Sequence, residues 1–336
     1  MKAEFYTGSY AHAGEESILR LCADFERGIW TKGMADGQAE CPSWLAMHPN
    51  GSVLYAVREL TEDGALYTFA VENGALRLIG TQPTLGRDPC YLSLNETGEF
   101  LVAVNYTGSS VSVFRLDREG VPVERTEHIT HVGSGPHPTR QEAAHPHCAV
   151  HANGLIYVCD LGMDRVLKYQ LDRQRGKLRR TGEILLPSGC GPRHLCVSPA
   201  DENVLYVVGE LSGCVYVVRD DKVVQQVSTL PEAFAGQSTA AAVKLSADAG
   251  ALFVSNRGHD SIAVLRILPR GMLERTHICK TGGKTPRDFE VFGNYLVAAN
   301  QDSDSLTVLR FDARRYELEQ TDMTYSLIRP TMILSI

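Results

Sequence analysis

Three short proline motifs carry the residues best suited to chemistry in this 336-residue chain. They are HPH at 145–147, PRH at 192–194 and PRD at 286–288. Imidazole groups titrate near neutral pH and can exchange protons with a bound molecule. Guanidinium groups donate paired hydrogen bonds to carboxylate or phosphate oxygens. Together the motifs indicate acid–base chemistry on an anionic ligand.

A second set of polar residues stands at the ends of strongly apolar runs. Its members are Glu59, Asn105 with Tyr106, Asp160, Glu210, Asn256 with Arg257, and Asn300 with Gln301. A single Asn or Asp at such a corner usually satisfies backbone groups. Arg257 of this set would also meet Arg193, Arg287 and the histidines of the proline motifs, and such like charges repel one another unless an anion joins them. The set therefore favours a phosphate or carboxylate ligand.

An internal repeat must position these residues. Six copies begin at Pro42, Pro89, His145, Pro192, Ala241 and Pro286, with spacings of 47, 56, 47, 49 and 45 residues. Each copy has a short apolar strand, a turn, a stronger Val/Leu/Tyr strand, a polar corner and further strand patterns. Four short strands in this period are typical of a β-propeller blade.

The two chain ends complete the ring in this interpretation. The segment from Pro330 matches a first strand, while residues 4–10, 17–24 and 28–33 match a second, third and fourth. The sequence thus predicts an all-β, seven-bladed β-propeller with four antiparallel strands per blade, closed by one C-terminal and three N-terminal strands. Residues 1–336 would form a single domain.

The propeller topology predicts where the polar residues meet. First strands begin, and second strands end, at the same face, so both sets should lie at one mouth of the central channel. The longest departure from the repeat, Glu124–Ala144, should cross that mouth as a partial lid. Six of the eleven histidines lie in or near it, at 128, 131, 137, 145, 147 and 151. A metal site there is a weaker alternative, because the tight ligand spacing of zinc sites is missing.

Composition excludes several classes of protein. A net charge of -7 disfavours nucleic-acid binding, and no apolar run approaches the ~20 residues of a membrane helix. The N-terminus shows no secretory signal, and nine cysteines without a C-x-x-C pair fit reduced thiols in the cytoplasm. The G-x-S-x-G, Walker and G-x-G-x-x-G motifs are missing. We therefore do not expect a serine hydrolase, an NTPase or a dinucleotide-dependent enzyme, and we expect no cofactor.

Several strings, in order along the chain, resemble one known family. They are RQEAAHPH (140–147), DLGMDRV (160–166), GCGPRHL (189–195), SNRGHDSIAV (255–264), PRDF (286–289) and ANQDSDSLTV (299–308). They are similar to the seven-bladed lactonase family, which contains propeller-type 6-phosphogluconolactonases and is related to the fungal carboxy-cis,cis-muconate cyclase. The resemblance covers the whole repeat region.

The resemblance implies hydrolysis of 6-phospho-D-glucono-1,5-lactone to 6-phosphogluconate in the pentose phosphate pathway. The positions associated with catalysis in the muconate-type relative correspond to His147, Arg193, Glu210 and Arg257. We expect His147 to be the base, Glu210 to orient it or share the proton transfer, and Arg193 or Arg257 to stabilise the oxyanion. Arg287, with His194 second, should hold the phosphate. Further substrate contacts are expected from His145, Glu59, Asp160, Asn256 and Gln301.

Other functions stay open at this point. Another sugar-acid lactonase or a muconate-type cycloisomerase would use the same groups. A non-enzymatic propeller scaffold is the alternative of another class, although WD-type dipeptides are missing and the ionisable residues concentrate at the channel mouth. The expected partner is an anionic small-molecule lactone, with no nucleic acid and no membrane. A closed ring needs no second subunit, so we expect a monomer or a weak homo-oligomer.

Overall fold

The computed structural model describes residues 1–336 and arranges them as seven four-stranded antiparallel sheets in a ring. The only helical segments are three single 3₁₀ turns, at Leu161–Met163, Pro269–Gly271 and Gln301–Ser303. None of them approaches the length or apolar character that crossing a membrane requires. The predicted seven-bladed β-propeller is confirmed.

The closing blade joins the two ends of the chain. It contains β1 (Lys2–Ser9), β2 (Ile18–Asp24) and β3 (Ile29–Asp36), with β28 (Pro330–Ser335) as its innermost strand, in the order β28-β1-β2-β3. Antiparallel pairing sets Phe5 opposite Ser335 and Thr7 opposite Ile333. The closure predicted from sequence is therefore confirmed, and it removes two open sheet edges.

The other six blades follow in chain order. Blade 1 contains β4 (Leu45–Met47), β5 (Val53–Arg58), β6 (Ala65–Glu72) and β7 (Ala75–Pro83). Blade 2 contains β8 (Pro89–Leu94), β9 (Phe100–Asn105), β10 (Ser110–Leu116) and β11 (Pro122–Thr130). Blade 3 contains β12 (Pro146–Ala152), β13 (Leu155–Asp160), β14 (Arg165–Asp172) and β15 (Lys177–Leu185).

Blade 4 contains β16 (Pro192–Val197), β17 (Val204–Gly209), β18 (Cys214–Arg219) and β19 (Lys222–Ser228). Blade 5 contains β20 (Thr239–Leu245), β21 (Ala251–Arg257), β22 (Ser261–Ile267) and β23 (Leu273–Lys280). Blade 6 contains β24 (Pro286–Phe292), β25 (Tyr295–Asn300), β26 (Ser305–Asp312) and β27 (Glu317–Ser326).

Hydrophobic packing between neighbouring blades holds the ring together. The second strands are apolar on both faces, as in β9, where every residue of FLVAVN is buried. One core cluster joins Val102 and Val104 of blade 2 to Ile156 and Val158 of blade 3. The outermost strands instead alternate between exposed and partly buried positions, as β7 does. A blade with two apolar faces is stable only between two neighbours, which explains why the repeats close into a ring.

The segment expected to form the lid is shorter than predicted. Residues 124–130 belong to β11, the outer strand of blade 2, where Glu124 pairs with Arg115 and Thr130 pairs with Ser110. The charged residues in this stretch hid the strand pattern, because an outer propeller strand alternates with solvent on one side. Only residues 131–144 make the connection to blade 3, and we call this stretch the lid segment.

Candidate active site

A bulge at the start of each of four inner strands aims one or two side chains out of the sheet. Strands β8, β12, β16 and β24 each begin with a paired proline and then shift register. The residues passed over by the pairing are Cys90, His147, Arg193 with His194, and Arg287. Bulges often re-aim side chains beside functional sites. The proline motifs therefore place their imidazole and guanidinium groups at one mouth of the channel.

The second strands supply the partners of these groups at the same mouth. Pro192 pairs with Gly209 and Thr239 pairs with Arg257, so both strand ends are level with the bulges. Glu59, Tyr106, Glu210 and Gln301 each lie one residue beyond the end of a second strand. The topology thus brings the two predicted sets of polar residues together.

Glu210 is the centre of the most highly charged cluster. Its Oε2 lies 3.1 Å from Arg193 Nε and 2.7 Å from Arg257 Nη2, and its Oε1 accepts from Arg140. The side chains of Glu210 and Arg193 are 2% and 3% exposed. Burial tends to raise the pKa of Glu210, but Arg257, Arg193 and Arg140 outweigh burial and lower it to about 2. Glu210 is ionised at neutral pH and does not make the expected contact with His147.

A second carboxylate–arginine unit lies across the mouth. Glu59 Oε1 accepts from the Tyr10 hydroxyl at 2.7 Å and lies 3.7 Å from Arg287 Nη2. The Ser43 hydroxyl donates to the other oxygen of Glu59. The guanidinium carbon of Arg287 lies 5.1 Å from the centre of the Tyr10 ring, which is cation–π distance. Glu59 and Arg287 are therefore both at the mouth, as predicted.

His147 is buried between these two units, and neither of its ring nitrogens makes a hydrogen bond. Its Nδ1 has no hydrogen-bond partner, and its ring meets Tyr106 and His194 edge-on at 5.6 and 5.3 Å. Burial lowers the pKa of His147 well below its usual 6.5, and Arg193, Arg287 and Arg257 lower it further. His147 is therefore neutral at pH 7 and able to accept a proton.

His194 lies in an aromatic environment. Its ring contacts Trp44 at 5.3 Å and Tyr91 at 5.5 Å, and Arg193 Nη1 lies 3.2 Å from its Nε2. Burial and the neighbouring Arg193 lower the pKa of His194 well below 6.5. The neutral ring supports Arg193 and carries no charge for a phosphate.

Two residues expected to contact substrate instead make hydrogen bonds to other residues of the protein. Asp160 is fully buried and accepts from the His145 and Met163 amides at 2.8 and 3.2 Å, while its Oδ2 lies 2.7 Å from His131 Nδ1. Asn256 bonds Thr229 and Ser261 through its amide. These side chains hold the corners of blades 3 and 5, because each must satisfy backbone and hydroxyl groups that no water reaches.

His145 and Gln301 lie at the same face but outside the Glu210 cluster. The His145 ring stacks on Tyr106 at 4.5 Å, and its Nε2 lies 3.1 Å from Glu142 Oε1. Gln301 donates to Asp302 at 2.9 Å and leaves its own oxygen buried without a partner. Of the two, only Gln301 keeps an unused polar atom.

The histidines of the lid region do not converge on one point. His131 contacts Asp160 and Tyr169, and His128 contacts Ser112. No three histidine, cysteine, aspartate or glutamate side chains form a group that could hold a metal ion. The geometry gives the metal alternative no support.

Two site residues were not predicted from sequence. Arg140 meets the predicted Tyr106 at 3.2 Å beside Glu210, and Tyr10 covers Arg287. Arg140 belongs to the string RQEAAHPH, so its position beside the HPH motif was a usable signal. Tyr10 directly follows β1, and nothing local distinguishes it from other strand-end tyrosines.

The charges at the mouth do not cancel. Arg140, Arg193, Arg257 and Arg287 face only two carboxylates, Glu59 and Glu210, in direct ion pairs. Burial, with Arg257 and Arg287, lowers the pKa of Arg193 to about 10. An excess of two positive charges over the directly paired carboxylates favours the binding of an anion in this pocket.

The different role of Asp160 leads to a testable result. We expect Asp160→Ala to lower the free energy of unfolding by about 3 kcal/mol, because it leaves buried amides and His131 without an acceptor. The turnover number of the folded fraction should change less than about tenfold, since the Asp160 carboxylate is taken up by His145, Met163 and His131 and makes no hydrogen bond to His147. Urea unfolding and kcat measure the two effects. A hundredfold loss of kcat at unchanged stability would instead mean that Asp160 contacts the substrate.

Comparison with known proteins agrees with this geometry. The profile of the family described as "Lactonase, 7-bladed beta-propeller" matches residues 4–335. A Bacillus subtilis protein named 6-phosphogluconolactonase is 29% identical over 98% of this chain and 97% of its own length. One from Formosa agariphila with the same name is 31% identical over 83% of each chain.

A solved structure extends the comparison to the whole fold. The periplasmic gluconolactonase of Pseudomonas aeruginosa superposes with a TM-score of 0.93 at 26% identity, covering 100% of this chain and 99% of that one. Sequence and structure agree along the entire ring. This chain therefore belongs to the lactonase family of seven-bladed β-propellers and is a lactone-hydrolysing enzyme.

Proposed function

We propose that the chain is a 6-phosphogluconolactonase, which hydrolyses 6-phospho-D-glucono-1,5-lactone to 6-phosphogluconate. The observation that carries the proposal is the excess of two positive charges over directly paired carboxylates around the His147 ring, which makes no hydrogen bond. A phosphate monoester carries about 1.5 to 2 negative charges at pH 7, which would balance that excess. The names of the Bacillus subtilis and Formosa agariphila relatives support the same substrate.

His147 acts as the general base in this proposal. Its neutral ring takes a proton from water through an unpartnered ring nitrogen as the water oxygen bonds to the lactone carbonyl carbon. The carbonyl oxygen becomes an oxyanion in the tetrahedral intermediate. Collapse of the intermediate breaks the bond to the ring oxygen, which takes the proton back from His147. One water is consumed, and the product is a hydroxy acid whose carboxyl group releases its proton to solvent at neutral pH.

Arg193 is the better placed of the two expected oxyanion ligands. It leaves the sheet at a bulge, as His147 does on the neighbouring inner strand, and its Nη1 rests on the same His194 ring that touches His147. Arg257 uses its Nη2 for Glu210 and for the Ala240 carbonyl at 3.2 Å. Glu210 fixes both guanidinium groups before the oxyanion forms, so little reorganisation is needed during the reaction.

The proposal is tested by offering matched lactones with and without the phosphate. We expect kcat/KM for the phosphorylated lactone to be at least about tenfold higher, since charge-assisted hydrogen bonds are worth about 1.5–3 kcal/mol. Initial rates on freshly prepared lactone, corrected for spontaneous hydrolysis, give the comparison. Equal rates would favour the second candidate, an unphosphorylated sugar lactone, which the gluconolactonase of Pseudomonas aeruginosa suggests.

Location and assembly are part of the same proposal. The pathway placement implies a cytoplasmic enzyme, and nine cysteines without a disulfide fit a reducing compartment. The closed ring supports a monomer or weak homo-oligomer. Cell fractionation and sedimentation of the purified protein measure these two properties.

The low pKa of His147 predicts an unusual pH profile. Because burial and three arginines keep the ring neutral, activity should persist below pH 6.5 and fall only where His147 finally gains a proton. Arg257→Gln removes a nearby cation, so it should raise the pKa of His147 and move the acid limb to higher pH. The profile of kcat/KM is best measured on an unphosphorylated lactone, whose own charge does not change. An acid limb at or above pH 6.5 in the wild type would contradict His147 as the base.

A further inference from the structure

Arg140 differs from the other arginines of the mouth in its origin and exposure. It comes from the lid segment, while Arg193, Arg257 and Arg287 come from strands. Its side chain is 37% exposed, against 3%, 15% and 17% for the other three. Arg140 is therefore the outermost cation of the pocket.

Arg140 is also held firmly by its neighbour in sequence. Gln141 is fully buried and donates to the Leu161 carbonyl at 2.8 Å and to Asp164 Oδ1 at 2.7 Å. Asp164 in turn accepts from the amides of Gly189 and Gly191 at 2.7 and 2.8 Å. The lid segment is thus tied to the corners of blades 3 and 4. A side chain on such a support is preorganised for binding.

The guanidinium of Arg140 has unused donors. Both its contacts, to Tyr106 and to Glu210, use Nη2 alone, so Nε and Nη1 have no partner in the protein. Glu210 already has two other guanidinium partners on its Oε2. Arg140 therefore pairs with Glu210 Oε1 through one nitrogen and keeps two nitrogens for a second anion.

We propose that Arg140 recognises the phosphate of the substrate and so sets the preference for phosphorylated lactones. This inference rests on the proposed function. The phosphate of the lactone lies on a side chain of the ring, beyond the ring oxygen as seen from the carbonyl. With the carbonyl against the buried His147, we place the phosphate in the outer part of the mouth, where Arg140 is more exposed and keeps two nitrogens without a partner. A guanidinium with two free nitrogens matches two phosphate oxygens.

The test compares two substrates in the full-length enzyme. Arg140→Gln should lower the ratio of kcat/KM for phosphorylated over unphosphorylated lactone at least about tenfold, mainly through KM, and Arg140→Lys should recover part of it. Arg87→Gln is the matched control, because Arg87 is an exposed arginine at the same face that donates only to the Thr107 carbonyl. It should leave the ratio unchanged. In calorimetry, Arg140→Gln should bind 6-phosphogluconate more weakly than the wild type does, while its affinity for gluconate should stay unchanged.

Two results would overturn the inference. Equal losses on both substrates would mean that Arg140 only positions Glu210, and an unchanged ratio with normal rates would mean that it plays no part in phosphate recognition. Failure of the proposed function looks different, because the wild-type enzyme itself would then show no preference for the phosphorylated lactone. In that case the inference about Arg140 is rejected with it.

Discussion

Replacing His147 with asparagine is expected to lower kcat by about 10²–10⁴-fold, the usual contribution of a general base. The asparagine keeps a polar side chain of similar reach but cannot accept a proton from water at neutral pH. Binding should change much less, because His147 is neutral and gives the anion no ionic attraction. Stopped reactions on the phosphorylated lactone, with the spontaneous rate subtracted, measure kcat and KM separately.

His151 offers a matched control on the same strand. It is also a largely buried histidine of β12 with an unpartnered nitrogen, and burial lowers its pKa to about 4. It lies at the end of β12 away from the mouth, opposite Ile156 in β13. His151→Asn should keep kcat near the wild-type value. If the His147 variant were as active as the His151 variant, the base would have to be a different group.

The repeat made most of the fold predictable. Each copy encodes a blade through short apolar strands and turn residues, and the spacing fixes how many blades the ring contains. Closure by β28 was predictable because the three N-terminal strands lack an innermost strand and the C-terminal segment matches one. The boundary of β11 was missed because its solvent-facing residues are charged, so the strand resembles a polar loop.

The face of the site was predictable, while the use of each side chain was not. Topology alone places the starts of first strands and the ends of second strands at one mouth, which brought His147, Arg193, Glu210 and Arg287 together. A side chain at a strand end can bind other residues of the protein or remain free for a ligand. Which of the two happens depends on partners far away in sequence. Asp160 meets His131 from the lid segment, and Asn256 meets Thr229 from the preceding blade. Sequence spacing contains no record of these pairings.

The same long-range pairing makes Glu210 central to stability as well as to the proposed catalytic site. Glu210→Gln should lower the free energy of unfolding by about 3–5 kcal/mol, because it leaves Arg193 and Arg257 buried without their carboxylate. Activity should also fall, since the two guanidinium groups lose the anchor that aims them at the oxyanion. Inorganic phosphate should stabilise the variant more than the wild type, because a bound anion restores part of the missing charge.

The pH dependence of stability separates this charge effect from a loss of packing. Glu210 has an ordinary pKa of 4.5 when unfolded and about 2 when folded, so its contribution is complete above pH 4.5 and is lost as pH falls toward 2. The difference in unfolding free energy between wild type and Glu210→Gln should therefore shrink over that interval. Urea unfolding at pH 7, 4.5 and 3 measures it. A difference in unfolding free energy that stays constant down to pH 3 would show that the carboxylate charge does not stabilise the cluster. It would also contradict the proposal that Glu210 holds the arginines in place for an anionic substrate.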